Sequence, residues 1–599
     1  MGEETPQDGL SSRIARLVHT HFDALPARSK PIVRDDGTRE WIPMAGMVVV
    51  RGENTTEEEL TCVAVTSGAK CLAASQLPNC KGLVLHDWHA EVLALRAFNY
   101  WVLSEVRGLL LGEEQAAATT QSSSPSPSRF IRRRSPQQQQ QQHPDQPPFE
   151  LHPDLKVYMC CTCAPCGDAS MELTMAAQED PTPWAEDPSP SEPVSLSYPP
   201  APEEPNPTHT TTSKPPTAAL SSTSNPHTST TVATTPPTTT TDPSSSAPTK
   251  PPPTNLLDGR GHFSKLGIVR RKPARADADS TKSKSCSDKL ALRQVSSLLS
   301  PETALLVRVT ASAYLAGVVL PETEISGVGC ERAFGREGRM KGLVGGYLAP
   351  SLSSSSGGRE VGGEEQRGLE TQEDGKEEEE EEEGDASGYR FHPFDILPIP
   401  AALADSLWQY GKPRDSPQTA STSTMKYKPG TISAVWVAAP SVGADRLVVL
   451  GPASGAKQLP KLAGSRTGLY ESIIGGVKQG SKASAPVVRG ASALSRARMW
   501  GTFREVVLDF QKNLARQDGR VKHEDGLSRG DDGRLRQIVE AATYVDFKRA
   551  IVTSTKPGQA RARALREAKT VLVPWVPNAG DGDWGLEVLV DANPKKRKR

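Results

Sequence analysis

The sequence predicts an α/β domain, a central mixed sheet with helices on both faces and more helices toward the C-terminus. Three observations predict it. The β-rich run Cys62-Val63-Ala64-Val65-Thr66 is followed, after a Gly-containing loop, by a helical stretch from about Trp88 to Val106. A second run, Leu155 to Met159, precedes a helix candidate from Gly167 to Ala177. Two further runs, Ile432 to Val437 and Leu447 to Leu450, precede helical patterns over 494–515 and 533–570.

Each element has a local cause. Ser67-Gly68 ends the first strand, and Asp87 is placed to cap the first long helix. Between these elements the composition changes. Residues 113–150 hold Ser-Pro repeats, the Arg132-Arg133-Arg134 triplet and a Gln run. Residues 178–255 are Pro, Thr and Ser, and 351–387 turn from Ser/Gly-rich to acidic, with Glu377 to Glu383 unbroken. Such segments cannot bury enough apolar surface to fold, and like charges at that density stay solvated.

The 599 residues could make several domains, but they are only 36% hydrophobic and 5% aromatic, with 51 Pro. The pieces between the three insertions are too short to bury separate cores. The expected organisation is therefore one domain over 1–590, interrupted by long disordered insertions, and a basic tail over 591–599.

The net charge of −1 hides strong local segregation. It does not exclude an RNA partner, because local basic surface is what binds phosphate. No apolar run of ~18 residues and no N-terminal h-region is present, so no membrane association is expected. Nine Cys in so long a chain do not suggest a disulfide framework. They point to a reducing, intracellular compartment, where clustered Cys suggests metal and isolated ones such as Cys62 and Cys71 are small buried apolar residues. The tail Lys595 to Arg599 has the composition of a nuclear localisation signal, so nucleus and/or cytoplasm is the expected location.

Chemistry concentrates at His89-Ala90-Glu91, at a helix start, and at Pro165-Cys166, at a strand-to-helix junction. H-x-E combined with P-C-x-x-C marks zinc nucleobase deaminases. Replacing the amine at C6 of a purine needs a hydroxide nucleophile near neutral pH. Zinc held by three protein ligands keeps a fourth position for water and lowers its pKa to about 7. His89 and Cys166 supply two ligands, and Glu91 is placed to shuttle protons from that water to the base and the departing ammonia. A helix N-terminus at Gly167 would favour the Cys166 thiolate. The position three after Cys166 holds Ala169, not Cys. On the residues alone, either Cys163 or Cys286 could complete the set.

The segments Val65-Thr66-Ser67-Gly68-Ala69-Lys70-Cys71, His86-Asp87-Trp88-His89-Ala90-Glu91, Pro165-Cys166-Gly167-Asp168-Ala169-Ser170 and Ser285-Cys286-Ser287-Asp288-Lys289-Leu290 occur in this order. Together they resemble the adenosine-deaminase domain shared by the RNA-editing enzymes and the eukaryotic tRNA-specific adenosine deaminases. The resemblance extends through Arg332-Ala333-Phe334, Glu337-Gly338-Arg339-Met340 and Ser433-Ala434-Val435-Trp436 to about Trp584, and touches none of the insertions.

The resemblance implies a cytidine-deaminase-like three-layer sandwich with added C-terminal helices. It implies Cys286 as the third zinc ligand. It also implies an inositol hexakisphosphate buried in the fold, with Arg96, Lys289, Tyr544, Lys548 and Trp575, and Asp583 as a further candidate, at positions that resemble its cage. Leu95 stands where the editing enzymes carry a second Arg, and Arg293 where they carry a Trp.

Arg270-Arg271-Lys272-Pro273-Ala274-Arg275 resembles a basic run of the tRNA branch and could hold phosphate near the metal site. Lys70 is a further expected RNA contact. No double-stranded-RNA-binding module precedes the deaminase segments, which favours the tRNA branch and, by resemblance, adenosine-to-inosine conversion at position 37, immediately 3′ of the anticodon of alanine tRNA. The competing readings are an editing deaminase for structured mRNA and a non-catalytic, zinc-stabilised RNA-binding protein. DNA is not an expected partner.

Overall fold

The computed structural model describes residues 9–32, 34–35, 38–118, 127–134, 146–177, 257–258, 265–272, 279–343, 388–412, 427–443, 466–518 and 530–590. All of them lie in one compact unit, Met1–Ala185 with Asn255–Arg599; a second unit, Glu186–Thr254, holds none of them.

The centre of the first unit is a mixed sheet. Its strands are β1 (Met44–Arg51), β2 (Glu59–Ser67), β3 (Leu155–Cys161), β4 (Leu315–Pro321), β5 (Asp395–Ile399), β6 (Ser433–Ala438), β7 (Thr467–Ile474) and β8 (Val477–Lys478). Their spatial order is β5-β4-β3-β1-β2-β6-β7-β8. Strands β5, β4 and β3 run parallel, and every pairing from β3 across to β8 is antiparallel. β1 is buried from Met44 to Val50 and β6 along its whole length, as unbroken apolar strands are when both faces are covered.

Two helices cover those faces. Helix α1 (Leu10–Asp23) brings Val18 against Gly46, where a Cβ would meet Val18 at 2.5 Å. Helix α2 (Ala90–Ala118) starts where Thr66 Oγ1 donates to the Ala90 carbonyl at 2.7 Å. Gly46 is paired with Val65, and Ala45 with Thr66. Consecutive residues of a strand point to opposite faces, so α1 and α2 lie on opposite sides of the sheet. This is the three-layer α/β arrangement expected from the sequence.

The remaining helices are α3 (Met171–Ala176), α4 (Cys286–Ser296), α5 (Gly327–Phe334), α6 (Ala401–Leu407), α7 (Arg496–Asp518), α8 (Gly530–Val539), α9 (Tyr544–Ser554) and α10 (Lys556–Val571). The last three divide the helical pattern read over 533–570. The breaks fall where Thr543 and Thr555 cap the following helices, each hydroxyl accepting a backbone N–H at 3.1 Å from Asp546 and Gly558.

Several boundaries differ from expectation. Helix α2 runs past Val106 into the first expected insertion because Leu110 and Leu111 remain buried and Asn513 of α7 donates to the Leu110 carbonyl at 2.8 Å. Asp87 is not its N-cap, since the helix begins at Ala90; it accepts the His89 N–H at 3.0 Å from outside the first turn. The Arg triplet is folded, not a low-complexity run. Ile131–Arg133 pairs with Phe149–Leu151, Arg133 bonds Glu113 at 2.7 Å, and its guanidinium lies 5.0 Å from the Phe149 ring. Residues 119–126 and 135–145 of that insertion and all of 178–255 and 351–387 lie outside the described residues, as do the 447–450 strand candidate and the basic tail. No helix among the described residues is long and apolar enough to cross a membrane.

A buried carboxyl ties α2 to two loops. Glu105 accepts from Ser128 Oγ at 3.0 Å, and from the Ser441 backbone and hydroxyl, both at 2.8 Å. Burial pushes it up from 4.5 to about 7, against the pull of these donors. A carboxyl raised on folding stabilises below its unfolded value and loses that contribution as pH rises through the folded one. The protein should therefore lose up to about 3 kcal/mol of stability between pH 4.5 and 7.5 through this group. Denaturant unfolding of Glu105→Gln beside the parent at pH 5 and pH 8 checks it: the gap between the two should change with pH.

Candidate metal centre and cleft

Three chain segments meet at the C-terminal ends of β2 and β3. After β2, the Gly68 carbonyl accepts the Ala90 N–H at 2.9 Å and the Lys70 carbonyl accepts the Trp88 N–H at 3.0 Å. These bonds fix His89 and Glu91 at the start of α2. After β3, the chain turns through Thr162 to Cys166. The third segment is Ser285–Asp288, the N-terminus of α4.

Each residue of Ser285-Cys286-Ser287-Asp288 has a structural task. Ser285 caps α4, accepting the Asp288 N–H at 3.1 Å and donating to Asp288 Oδ2 at 2.6 Å. Ser287 Oγ donates to the Pro165 carbonyl at 3.0 Å, and its N–H donates to the Cys166 carbonyl at 3.0 Å. Asp288 accepts the Arg270 N–H at 2.9 Å and pairs with the buried Arg339 at 2.6 Å. Gly167 makes this close approach possible. Its φ is +108°, and a Cβ would lie 2.4 Å from Ser285 Cβ.

The result is a convergence of His89, Cys166 and Cys286, whose ligand atoms all lie within 4.8 Å of one another. His89 Nδ1 is 3.8 Å from Cys166 Sγ and 3.6 Å from Cys286 Sγ. Glu91 Oε2 lies 3.3 Å from Cys286 Sγ. Cys163 is not in this group, although it lines the same cleft.

The electrostatics are unusual for a buried site. The Cys286 thiol hydrogen-bonds Cys166 and holds it well below the ordinary thiol range, against burial and with help from Lys272 and His89. The backbone N–H of Cys286 also points at Cys166 Sγ, at 3.4 Å. The helix terminus serving this sulfur is therefore that of α4. The expected helix at Gly167 is absent: 168–170 form a single 3-10 turn and α3 begins only at Met171. Burial, and then the Cys166 sulfur, push the Glu91 carboxyl up.

Beneath the sulfurs lies a buried ionic group that sequence reasoning missed. Lys272 Nζ is 3.3 Å from Cys286 Sγ and 2.9 Å from Asp87 Oδ2, and Lys289 also pairs with Asp87. Burial would raise the Asp87 carboxyl, but the two ammoniums hold it far below the carboxylate range. Lys272 is expected from sequence as a phosphate contact, yet it is buried and committed to this group. Arg270 is likewise buried, its guanidinium on the Lys265 carbonyl, and both Lys272 and Arg270 border the cleft. Arg271 and Lys70 also line the cleft, and Arg275 lies outside the described residues. The cleft encloses about 1260 Å³ and opens onto His89, Glu91 and Cys166.

Among the C-terminal helices a second group of cations collects around α7, α9 and α10. The Tyr544 ring stacks on Trp584 at 4.7 Å, with Lys548 Nζ 5.3 Å and the Arg496 guanidinium 5.9 Å from its centroid. Lys284 lies 5.7 Å from the Trp575 ring. Burial and then neighbouring cations lower Arg96, Lys548 and Lys569, push Arg293 down to about 9 and Lys284 to about 8. Arg561 Nε is buried with no hydrogen-bond partner among the described residues. Asp583 is exposed. Asp581, two residues earlier, is the inward acid, bonding His86 at 2.8 Å and the Gly82 N–H at 3.0 Å.

Comparison with known proteins bears on this centre. Residues 64–348, which include His89, Cys166 and Cys286, match the adenosine-deaminase (editase) domain. Among curated relatives, tRNA-specific adenosine deaminase 1 of Schizosaccharomyces pombe is 30% identical over 332 residues, 55% of this chain and 62% of the relative. That of Saccharomyces cerevisiae is 26% identical over 296 residues, 49% and 54%. Double-stranded RNA-specific editase B2 of Mus musculus is 30% identical over 101 residues, 17% and 12%. The chain thus spans between about half and two thirds of the two yeast relatives.

Asp288 carries the local architecture. Asp288→Ala should cost about 3–5 kcal/mol, because it leaves the buried Arg339 guanidinium without its carboxylate. Equilibrium unfolding measures this, and a loss under 1 kcal/mol would contradict it.

Proposed function

We propose that this protein is a zinc-dependent hydrolase that converts adenosine to inosine in tRNA. The observation that carries the reading is the convergence of one imidazole and two sulfurs with a carboxylate beside them. A structural zinc site closes with four ligands, whereas three protein ligands leave a position open. The donor set fits zinc, and the nearby Lys272 and His89 favour the thiolate form that zinc requires. His89, Cys166 and Cys286 would hold the ion, which supplies Lewis-acid activation of water near neutral pH.

The chain's own residues then account for the rest. Glu91 takes a proton from the attacking water, gives it to the purine ring, and passes a second to the leaving amine. Adenosine and water become inosine and ammonia. A carboxylate that is not itself a ligand has no purpose in a purely structural site, which argues against a non-catalytic RNA-binding protein. The cleft admits a base swung out of an RNA loop, where unstacking costs least.

The finer reading is that the adenosine lies 3′ of the anticodon in alanine tRNA. Its support is the resemblance to the tRNA branch and the two yeast relatives, both named tRNA-specific. We also propose inositol hexakisphosphate, or an equally charged polyanion, among Arg96, Tyr544, Lys548 and Trp575, where mutually repelling buried cations need a counter-charge. Lys289 pairs with Asp87 and is one of the charges that lower Lys284, the ammonium beside Trp575. The composition of the tail Lys595–Arg599 supports a nuclear address.

Purified protein should form inosine in full-length alanine tRNA and not in a perfect RNA duplex. Glu91→Ala should abolish turnover with zinc retained, and loss of zinc in that variant would overturn the assigned roles. Inosine in the duplex instead would make the protein an editing deaminase. Cys286→Ala should lose zinc by metal analysis while Cys163→Ala keeps it. Mass spectrometry of acid-extracted protein should release an inositol polyphosphate, and its absence would refute the proposed polyanion.

A further inference from the structure

One wall of the cleft is a built surface that the deaminase chemistry does not use. Arg39–Trp41 pairs in parallel with Tyr427–Pro429, in register Arg39 to Tyr427, Glu40 to Lys428 and Trp41 to Pro429. Side chains alternate along the ribbon. Arg39, Trp41, Tyr427 and Pro429 all line the cleft, whereas Glu40 and Lys428 do not. Glu40 turns the other way, is buried, and accepts from the Ile32 N–H at 3.3 Å and Arg34 at 3.2 Å. The ribbon is held from both ends. The Ile42 N–H donates to the Tyr410 carbonyl at 3.0 Å, the Gly430 N–H to the Trp41 carbonyl at 2.8 Å, and Arg39 reaches the Gln409 carbonyl. Behind it Trp408 is fixed edge-on to Phe22 and Tyr410, at 5.0 and 5.3 Å.

The ribbon turns two aromatic rings, a proline and a guanidinium toward one cleft. Base faces stack on aromatic rings, and cations beside them take phosphate. Tyr427 is 37% exposed, and Lys412, exposed at the same wall, adds a second cation. We propose that this ribbon is a stacking platform for an unpaired nucleotide adjacent to the target adenosine, its base on Trp41 and Tyr427 and its phosphate toward Arg39 and Lys412. The inference rests on the RNA-deaminase reading above and deepens it: it explains how the protein would select a loop nucleotide rather than a paired one.

The test places 2-aminopurine in alanine tRNA, at the nucleotide 5′ or 3′ of the target, and uses the Glu91→Ala protein so that no turnover occurs. Binding should quench the fluorophore at one of these neighbours beyond what the free tRNA loop shows. Adding Trp41→Ala or Tyr427→Ala should remove that quench. In the otherwise intact enzyme, Trp41→Ala should lower kcat/KM about tenfold or more, the size expected for one lost base stack. Trp41→Phe should restore most of it, which separates stacking from a folding defect. Unchanged kcat/KM in both alanine variants, or bound tRNA with no quench at either neighbour, overturns the platform. Failure of the underlying reading looks different: the parent enzyme then makes no inosine in any tRNA, while the quench on bound RNA still reports on the ribbon.

Discussion

The site depends on placing several charges below the solvent surface without leaving any uncompensated. Asp87 and Glu91 are removed from water and Cys166 is half-buried, and a buried anion alone costs several kcal/mol. Lys272 and Lys289 answer that cost. Lys272 does so twice, because its ammonium lies against both Asp87 and Cys286. Remove this cation and the Asp87 carboxylate would lose one of its two partners, and Cys166 one of the charges that favour its thiolate. The bend at Asp87-Trp88-His89, the entry to α2 and the seating of α4 are therefore parts of one electrostatic arrangement.

The same requirement explains why distant pieces of the chain cooperate. His89 and Glu91 come from one helix start, Cys166 from the end of β3, and Cys286 from the start of another helix. No local motif could join them. The joint is made by backbone and serine: Ser287 on the carbonyls of Pro165 and Cys166, Ser285 closing the α4 cap, and Gly167 leaving room for Ser285. A serine at each flank of Cys286 is thus what turns a remote cysteine into a neighbour of Cys166.

That geometry also shows what was legible in the sequence. Of the sheet strands β2, β3 and β6 were readable, and so was the first part of α2, because their apolar runs are strong, whereas β1, β4, β5, β7 and β8 went unread. H-x-E and P-C were readable because the chemistry restricts the residue types. The choice between Cys163 and Cys286 was not readable from spacing, since it is decided by tertiary packing across more than a hundred residues. The basic run folds inward for a physical reason that its composition hides. Arg270 and Lys272 look like solvated cations by type, but two buried carboxylates, Asp288 and Asp87, draw the chain around them inward. Arg132–Arg134 misled in the same way, through Glu150 and Glu113. The Arg39–Trp41 wall was missed because three residues of alternation are too few to read, and its partner strand lies almost 390 positions away.

The C-terminal helices pose the remaining physical question: why the sheet and its metal-binding cluster should need them. Their inner cations come from four helices, with Arg96 on α2, Arg293 on α4, Lys548 on α9 and Arg561 on α10. These groups lower one another's affinity for protons in linked pairs, Arg293 with Arg561 and Arg96, Lys548 with Arg496. By themselves such contacts push the helices apart. Nearby acids, among them Glu302 and Asp581, offset part of this, and Asp581 is already engaged by His86 and Arg496. A compact polyanion bound among them would reverse the sign of the whole group, converting mutual repulsion into shared attraction to one centre. It would then clamp α9 and α10 onto the helices that carry His89 and Cys286. On this argument the C-terminal region would act as a charge-built brace for the metal site, its stability tied to the proposed polyanion.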